Sequence, residues 1–185
     1  YIDVLKVFLA NPLAPGEETE LTTPFHVKLP YNFSRGGHVD QSYQVTQWYP
    51  KPAVYDKNGW HPMPYLDQGE FYGEFANYDV RITLPENYVV AATGDLQNDE
   101  EKKWLRQRGG PLVKRTAIKK FPAKPVKKSD IPQTNSVIPS SPNSKTLRYL
   151  QDNVHDFAWF ADKYFGVQYD TIKLSSGRVV DAYSY

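Results

Sequence analysis

The chain has 185 residues, 22 Lys and Arg against 21 Asp and Glu, a net charge of +1 and no cysteine. That length suits one domain with a real core, and the near-neutral charge gives no reason to expect a nucleic-acid or membrane surface. Without cysteine there are no disulfides and no cysteine-based metal sites or nucleophiles, and no run approaches the ~18 apolar residues of a membrane helix.

Residues 2–10, rich in Val, Ile, Leu and Phe, read as a strand, and Asn11-Pro12-Leu13-Ala14-Pro15-Gly16 is turn chemistry. Residues 19–29 set Phe25, Val27 and Leu29 on one side at strand spacing and pair with the first run. Pro24 marks an edge strand or a bulge. Residues 30–40 form a loop with Arg35-Gly36-Gly37-His38 at its tip, and 42–48 a short strand. Residues 49–70 hold several Pro and Gly and read as irregular. Residues 71–84 are the longest strand, with Tyr78, Val80, Ile82 and Leu84 alternating with Asp79, Arg81 and Thr83. A strand over 88–96 follows the turn Pro85-Glu86-Asn87. Residues 99–108 read as one or two helical turns, a marginal length in isolation. Residues 112–121 alternate weakly as a strand, and 123–144 read as a solvated loop or insertion. In 145–163, Leu147, Leu150, Val154, Phe157 and Phe160 fit a helical face. Residues 167–174 and 178–185 form a hairpin across Ser175-Ser176-Gly177. Both ends of the chain read as cuts, because each lies in strand-like sequence.

The stretch 47–84 is unusually dense in Trp, Tyr, Phe and Pro. In order it carries Gln47-Trp48-Tyr49-Pro50-Lys51, Val54-Tyr55-Asp56, Gly59-Trp60-His61 and Gly69-Glu70-Phe71-Tyr72. Asn87-Tyr88-Val89-Val90-Ala91-Ala92-Thr93-Gly94 and Asn153-Val154-His155-Asp156-Phe157-Ala158-Trp159 follow. Over residues 5–174 this pattern resembles the amino-terminal β domain of bacterial zinc aminopeptidases related to aminopeptidase N and leukotriene hydrolase, the gluzincin metallopeptidases. The resemblance implies a mainly β fold, an antiparallel β-sandwich with saddle-like sheets and little helix. It also reads 145–163 as strand, tight turn and strand, in place of a helix. It implies a parent that removes amino-terminal residues from peptides with zinc, and a domain here that forms one wall of the substrate cleft without the catalytic domain. The family domain normally has further strands ahead of this stretch, so residues 1–185 read as a single incomplete domain whose open edges predict self-association.

The candidate chemistry follows from residue types. A gluzincin needs His-Glu-x-x-His on a helix and a downstream Glu. The histidines His26, His38, His61 and His155 have no such spacing, so no metal or catalytic residue is assigned here, and zinc is expected only in the parent. In related enzymes a Gln or Glu of this domain helps hold the substrate's free amino group, since an amide carbonyl accepts from an ammonium. Counting back from Pro50, Gln41 lies nearest to that position, with Gln44 and Gln47 as rivals; ordinary polar strand positions are the competing reading for each.

Asp56, Asp67, Glu70 and Glu74 raise the possibility of paired carboxylates for glycoside hydrolysis. Loop solvation is preferred for them, because acid usage there is near average. Trp48, Tyr49, Tyr55, Trp60, Tyr65, Phe71 and Tyr72 are a candidate platform for carbohydrate or peptide, against core and interface packing for most of them. Trp48 and Trp60 are the best candidates to face a catalytic domain. A β-sandwich module binding carbohydrate or peptide is therefore the alternative function. Lys119, Lys120, Lys124, Lys127 and Lys128 read as a solvated loop in preference to an anion site.

Overall fold

The computed structural model describes residues 3–64, 66, 69, 71–111 and 137–185. In chain order the elements are β1 (Gly37–Val39), β2 (Ser42–Val45), β3 (Val54–Asp56), β4 (Gly59–His61), β5 (Ala76–Pro85), β6 (Val89–Ala92) and β7 (Asp95–Leu96). Then come α1 (Asp99–Arg108), β8 (Gly110–Pro111), β9 (Ser144–Val154), β10 (Trp159–Asp162), β11 (Gln168–Lys173) and β12 (Val179–Ser184). The fold is mainly β, with several antiparallel sheets and, among the described residues, one short helix. Strand order is β1-β2-β10-β6 in one sheet, β5-β9-β7 in a second and β12-β11-β8 in a third, with β3-β4 a separate hairpin. The β11–β8 pairing is parallel.

The period-two pattern of β5 decides its partner. Ile82 lies opposite Leu147 of β9 and Val80 opposite Tyr149. Ile82, Leu147 and Tyr149 form a core with Val90 and Ala161 of the first sheet and with Tyr88 and Phe157, which lead into its strands β6 and β10. On the outer face Arg81 lies opposite Arg148, two like charges across a ladder. Asp79 resolves the conflict. Its carboxylate accepts from Arg148 Nε and Nη2, both at 2.8 Å, and lies 3.6 Å from Arg81 Nη1. Thr83 and Thr146 close the same face with their hydroxyls 2.8 Å apart.

The helical face in 145–163 gives way to this ladder. β9 is paired on both sides, to β5 and β7, and its alternation buries Leu147 and Tyr149. A lone helix there would leave those ladders unmade. Asn153, at φ 57°, sits in the bulge where the β5–β9 register shifts between the pairs Tyr78–Gln151 and Ala76–Val154, a conformation Asn tolerates better than most residues.

β6 is buried on both faces. Val90 faces the core just described, while Val89 packs with Leu105 of α1 and Val167. This accounts for an unbroken apolar run where a half-exposed strand would alternate. The expected strand over 88–96 breaks in two, because Gly94 at φ +90° turns the chain from one sheet into the other. A Cβ on Gly94 would lie 2.6 Å from the Leu150 carbonyl oxygen, so no larger residue fits.

Helix α1 spans the expected residues. Asp99, Glu100 and Glu101 occupy its first turn and Arg106 and Arg108 its last, matching the helix dipole. Its N-cap residue Asn98 binds β9 with its side chain: Oδ1 accepts from the Arg148 N–H at 2.8 Å and Nδ2 donates to the Thr146 carbonyl at 3.1 Å. Lys145 Nζ meets Glu101 Oε1 at 2.6 Å. Burial pushes the Glu101 carboxyl up and the Lys145 amine down, each against its partner's pull. The carboxy-terminal hairpin forms as expected, closed by Gly177 N–H to the Leu174 carbonyl at 2.9 Å.

Three expectations need correction. Residues 2–10 and 19–29 are not paired strands: residues 3–30 carry no strand, and Leu5 and Phe8 are more than 80% exposed. Strand propensity expresses packing against neighbours, and among the described residues these runs have no ladder partner. The loop over 30–40 contains β1 and folds back on itself through His38 N–H to the Pro30 carbonyl, 2.9 Å. The irregular stretch 49–70 contains the hairpin β3–β4, turned by residues 57–58 with Gly59 at φ +100°. The strand expected over 112–121 and most of the loop over 123–144 lie outside the described residues.

Phe157 is fully buried in the core between the first two sheets. Phe157→Ala is expected to cost about 3–5 kcal/mol of unfolding free energy. Urea titration followed by circular dichroism measures it, and a loss below about 1 kcal/mol would contradict this placement of the core.

Candidate functional site

β2 separates the core from a concave groove. Its alternation turns Tyr43 and Val45 toward the interior, while Gln44 lines a groove on the other side. Gln47, at φ 51°, then breaks the strand period in a left-handed backbone that a non-glycine residue seldom adopts. Gln47 and Trp48 both reach the groove wall there. The groove has a volume of about 270 Å3. Its other walls are Val27 and Leu29, the loop with Phe33 and Arg35, and a third segment with Met63, Leu66 and Phe71. Gly37 makes the loop wall possible. At φ +127° a Cβ on it would lie 2.6 Å from the Pro30 carbonyl oxygen.

Behind the groove, the Trp48-Tyr49-Pro50-Lys51 segment is tied to the β9–β10 turn. The Trp48 indole N–H donates to the Phe157 carbonyl at 3.0 Å. The Tyr49 hydroxyl donates to Asp156 Oδ1 at 2.8 Å and lies 2.7 Å from the Tyr78 hydroxyl. Asp156 Oδ1 also accepts from the Phe157 N–H at 2.7 Å, and Oδ2 pairs with Lys51 Nζ at 2.7 Å. Burial above all, then these hydrogen bonds, pushes the Tyr49 phenol far up, so it stays protonated. The Lys51 ammonium lies 5.3 Å from the Tyr49 ring centroid and 5.9 Å from that of Phe71, which joins this network to the groove wall.

The three glutamines part company. Gln44 and Gln47 line the groove. Gln41 stands outside its lining, and its amide oxygen accepts from the Lys163 ammonium and, at 3.5 Å, from the Ser140 hydroxyl. Lys163 is only 2% exposed. Its ammonium also donates to the Ile138 carbonyl and lies over the Tyr88 ring, 5.3 Å from the centroid. The chemistry expected of Gln41, an amide carbonyl receiving an ammonium, is present, but the ammonium belongs to the chain itself.

The aromatic residues divide in the same way. Trp48 and Phe71 line the groove, and Tyr49 belongs to the network behind it. Tyr55 and Trp60 lie opposite each other on β3–β4, with ring centroids 4.9 Å apart, and about two thirds of each is exposed. Tyr72 packs edge-on against His61. Tyr65, Asp67, Glu70 and the lysines at 119, 120, 124, 127 and 128 lie outside the described residues. Of the remaining acids, Asp56 accepts from the Asn58 N–H and lies 2.8 Å from His61 Nε2, and Glu74 is exposed and outside the groove lining.

The histidines do not assemble a zinc site. His61 pairs with Asp56, His155 packs on Phe75, His38 sits between Tyr31 and Tyr43, and His26 is exposed. Among the described residues no group of three or more His, Cys, Asp or Glu side chains could hold a metal ion, so the donors present do not fit zinc. Nor is any helix among them long and apolar enough to cross a membrane. Phe33, Met63 and Lys163 were not singled out from the sequence. Phe33 and Met63 gain their place only when two distant loops meet, and Lys163 meets Gln41 across 122 positions. Comparison with protein-family models, curated proteins and solved structures finds no match.

Gln41→Ala leaves the buried Lys163 ammonium short of an acceptor, and about 1–3 kcal/mol of stability should be lost. Thermal and urea unfolding measure this, and an unchanged midpoint would show that the amide contributes nothing. A second expectation concerns acid. The hydrogen bond with His61, followed by that from the Asn58 N–H, holds the Asp56 carboxyl below its usual 3.8. Because the folded value is the depressed one, the pairing stabilises the hairpin above pH 3.8 and is lost as pH falls through the folded value. Amide exchange across β3–β4 should accelerate before that of β5–β9 on acidification, and Asp56→Asn should abolish that acid step.

Proposed function

We propose that the chain is the non-catalytic amino-terminal β domain of a zinc-dependent aminopeptidase and forms one wall of its peptide cleft. The sequence blocks from Gln47-Trp48-Tyr49-Pro50-Lys51 to His155-Asp156-Phe157 suggest it, and one observation carries it: Gln44 and Gln47 line the same groove, beside Trp48 and Phe71. In this reading the amide carbonyls of Gln44 and Gln47 accept from the substrate's terminal ammonium. The indole of Trp48, held by its N–H to the Phe157 carbonyl, and the ring of Phe71 keep water from that contact. The parent's zinc, which activates the attacking water in such enzymes, is held by a catalytic domain elsewhere in the polypeptide. The role first suggested for Gln41 passes to Gln44 and Gln47, because Gln41 is engaged by Lys163.

In the parent enzyme, Gln44→Ala or Gln47→Ala should reduce kcat/KM for an aminoacyl reporter by about 1.5–3 kcal/mol, mostly through KM. Gln41→Ala should leave KM unchanged at temperatures where the variant is folded. Unaltered kinetics for both groove glutamines would remove the proposal.

A second reading, a module that binds carbohydrate, is favoured by the exposed Tyr55–Trp60 pair, since such faces can stack on sugar rings. Saturable glycan binding that Trp60→Ala abolishes would select it over the peptidase domain.

A further inference from the structure

We infer that Asn58, in the turn of the β3–β4 hairpin, is a site of spontaneous covalent modification. Its side-chain amide closes onto the Gly59 backbone nitrogen, loses ammonia and is hydrolysed to aspartate and isoaspartate. The inference is independent of both readings of function. The chemistry needs a carboxamide carbon and the peptide nitrogen of the next residue to meet. Asn58-Gly59 is the only Asn-Gly pair in the chain. A side chain on the second residue would crowd the attack, and glycine has none. The hairpin keeps the approach open. Asn58 is exposed, and no described part of the chain comes within 4 Å of where a Gly59 Cβ would stand. The Asn58 N–H donates to Asp56 Oδ1 at 2.8 Å, but among the described residues its side-chain amide makes no hydrogen bond. Other asparagines are held. Asn87 and Asn98 engage both amide atoms, Asn143 Nδ2 donates to Glu86 at 3.4 Å, and Asn77 Oδ1 accepts from the Asn153 N–H at 3.0 Å.

The steps balance with water as the only co-reactant. The Gly59 nitrogen gives its proton to solvent and bonds to Asn58 Cγ, the Cγ–Nδ2 bond breaks, and the amide leaves as ammonia. The succinimide so formed takes up water. Opening at the Cγ carbonyl gives aspartate. Opening at the main-chain carbonyl gives isoaspartate, whose backbone runs through Cβ and Cγ and is one atom longer. The hairpin has little with which to absorb that atom. β3 and β4 are joined by three register pairs, Val54–His61, Tyr55–Trp60 and Asp56–Gly59, and a two-stranded ribbon is marginal by itself. A longer turn cannot hold all three in register. The contacts that cross these rungs are therefore the ones lost: Asp56 to His61 at 2.8 Å, and Tyr55 to Trp60 with ring centroids 4.9 Å apart. The new carboxylate also stands next to that of Asp56, a like charge.

The test is incubation of the full chain at mildly alkaline pH, folded and in urea, sampled by peptide mapping and mass spectrometry. Isoaspartate is scored by an isoaspartyl carboxyl methyltransferase with labelled S-adenosylmethionine. The peptide that starts at Asn58 should convert from amide to acid before any other described asparagine, with isoaspartate among the products. The folded chain should react at a rate within about tenfold of the chain in urea, a barrier difference of less than about 1.4 kcal/mol. Asn58→Gln, whose longer side chain closes the ring poorly, should remove the methyl-accepting site and leave the hairpin intact. The separated isoaspartyl form should show faster amide exchange across β3–β4, with β5–β9 unchanged. A folded chain that reacts at Asn58 more than about tenfold slower than in urea overturns the inference, because the turn would then shield the amide. Earlier reaction at another described asparagine overturns it too. Unchanged exchange across β3–β4 in the isoaspartyl form would overturn the loss of register.

Discussion

The carboxylate of Asp156 is the fixed point from which the rest of the site is built. It stands in the turn between β9 and β10, the strands that belong to the two main sheets. It takes up the Tyr49 hydroxyl, the Phe157 N–H and the Lys51 ammonium together. A half-buried charge is tolerable only when so satisfied. The neighbouring Phe157 carbonyl receives the Trp48 indole. One short turn thus holds the chain that leaves β2, and that chain is the floor on which Gln47 and Trp48 face the groove. Phe157 itself fills the core, so the site and the core share a residue pair.

The second organising feature is β6, whose Val89 and Val90 are buried on its two opposite faces. Helix α1 covers one side through Leu105, and the β5–β9 pair covers the other. Polar links secure the helix against β9: Asn98 to the backbone beside Thr146 and Arg148, and Glu101 to Lys145. The segment leading into β9 is fixed in the same manner. Asn87 donates to the Pro139 carbonyl and accepts from the Ser141 N–H, while Glu86 takes the Ser141 hydroxyl. Hydrogen bonds of this sort contribute modestly one by one, but they determine where a chain with little apolar content returns to the sheet.

What was legible in the sequence was local. The alternation of Tyr78, Val80, Ile82 and Leu84, the acid-to-base gradient of α1 and the Ser175-Ser176-Gly177 turn each report on neighbours in sequence, and each corresponds to an observed element. The hairpin at Asp56-Lys57-Asn58-Gly59 has its own local mark in Asn58-Gly59, set among prolines that are otherwise the mark of irregular chain. Leu147, Leu150 and Val154 fit a helical period, the strand reading came from the resemblance alone, and the pairing of this segment with β5 and β7 decides for the strand. Residues 4–9 show the converse. Val4, Leu5, Val7 and Phe8 have every local mark of a strand, yet no strand forms there, and the described residues give them no ladder to join. The site was legible in part. Gln44 and Gln47 were on the short list and share the groove, but nothing near Gln41 in sequence announces Lys163.

That buried pair has an evolutionary consequence. Gln41 and Lys163 lie 122 positions apart, the lysine buried and the glutamine half-buried. Replacing the amide alone leaves the Lys163 ammonium with the Ile138 carbonyl and the Ser140 hydroxyl, one acceptor fewer, and replacing the cation alone removes the main donor to the amide oxygen, so each single step carries a cost. The two positions can drift only together, and an apolar residue at one would be inherited with an apolar residue at the other. The turn that carries Gln41 leads into β2, so such a paired change would pass through the strand that presents Gln44 and Gln47. A site for small ligands is thereby tethered to the history of a contact that no ligand touches.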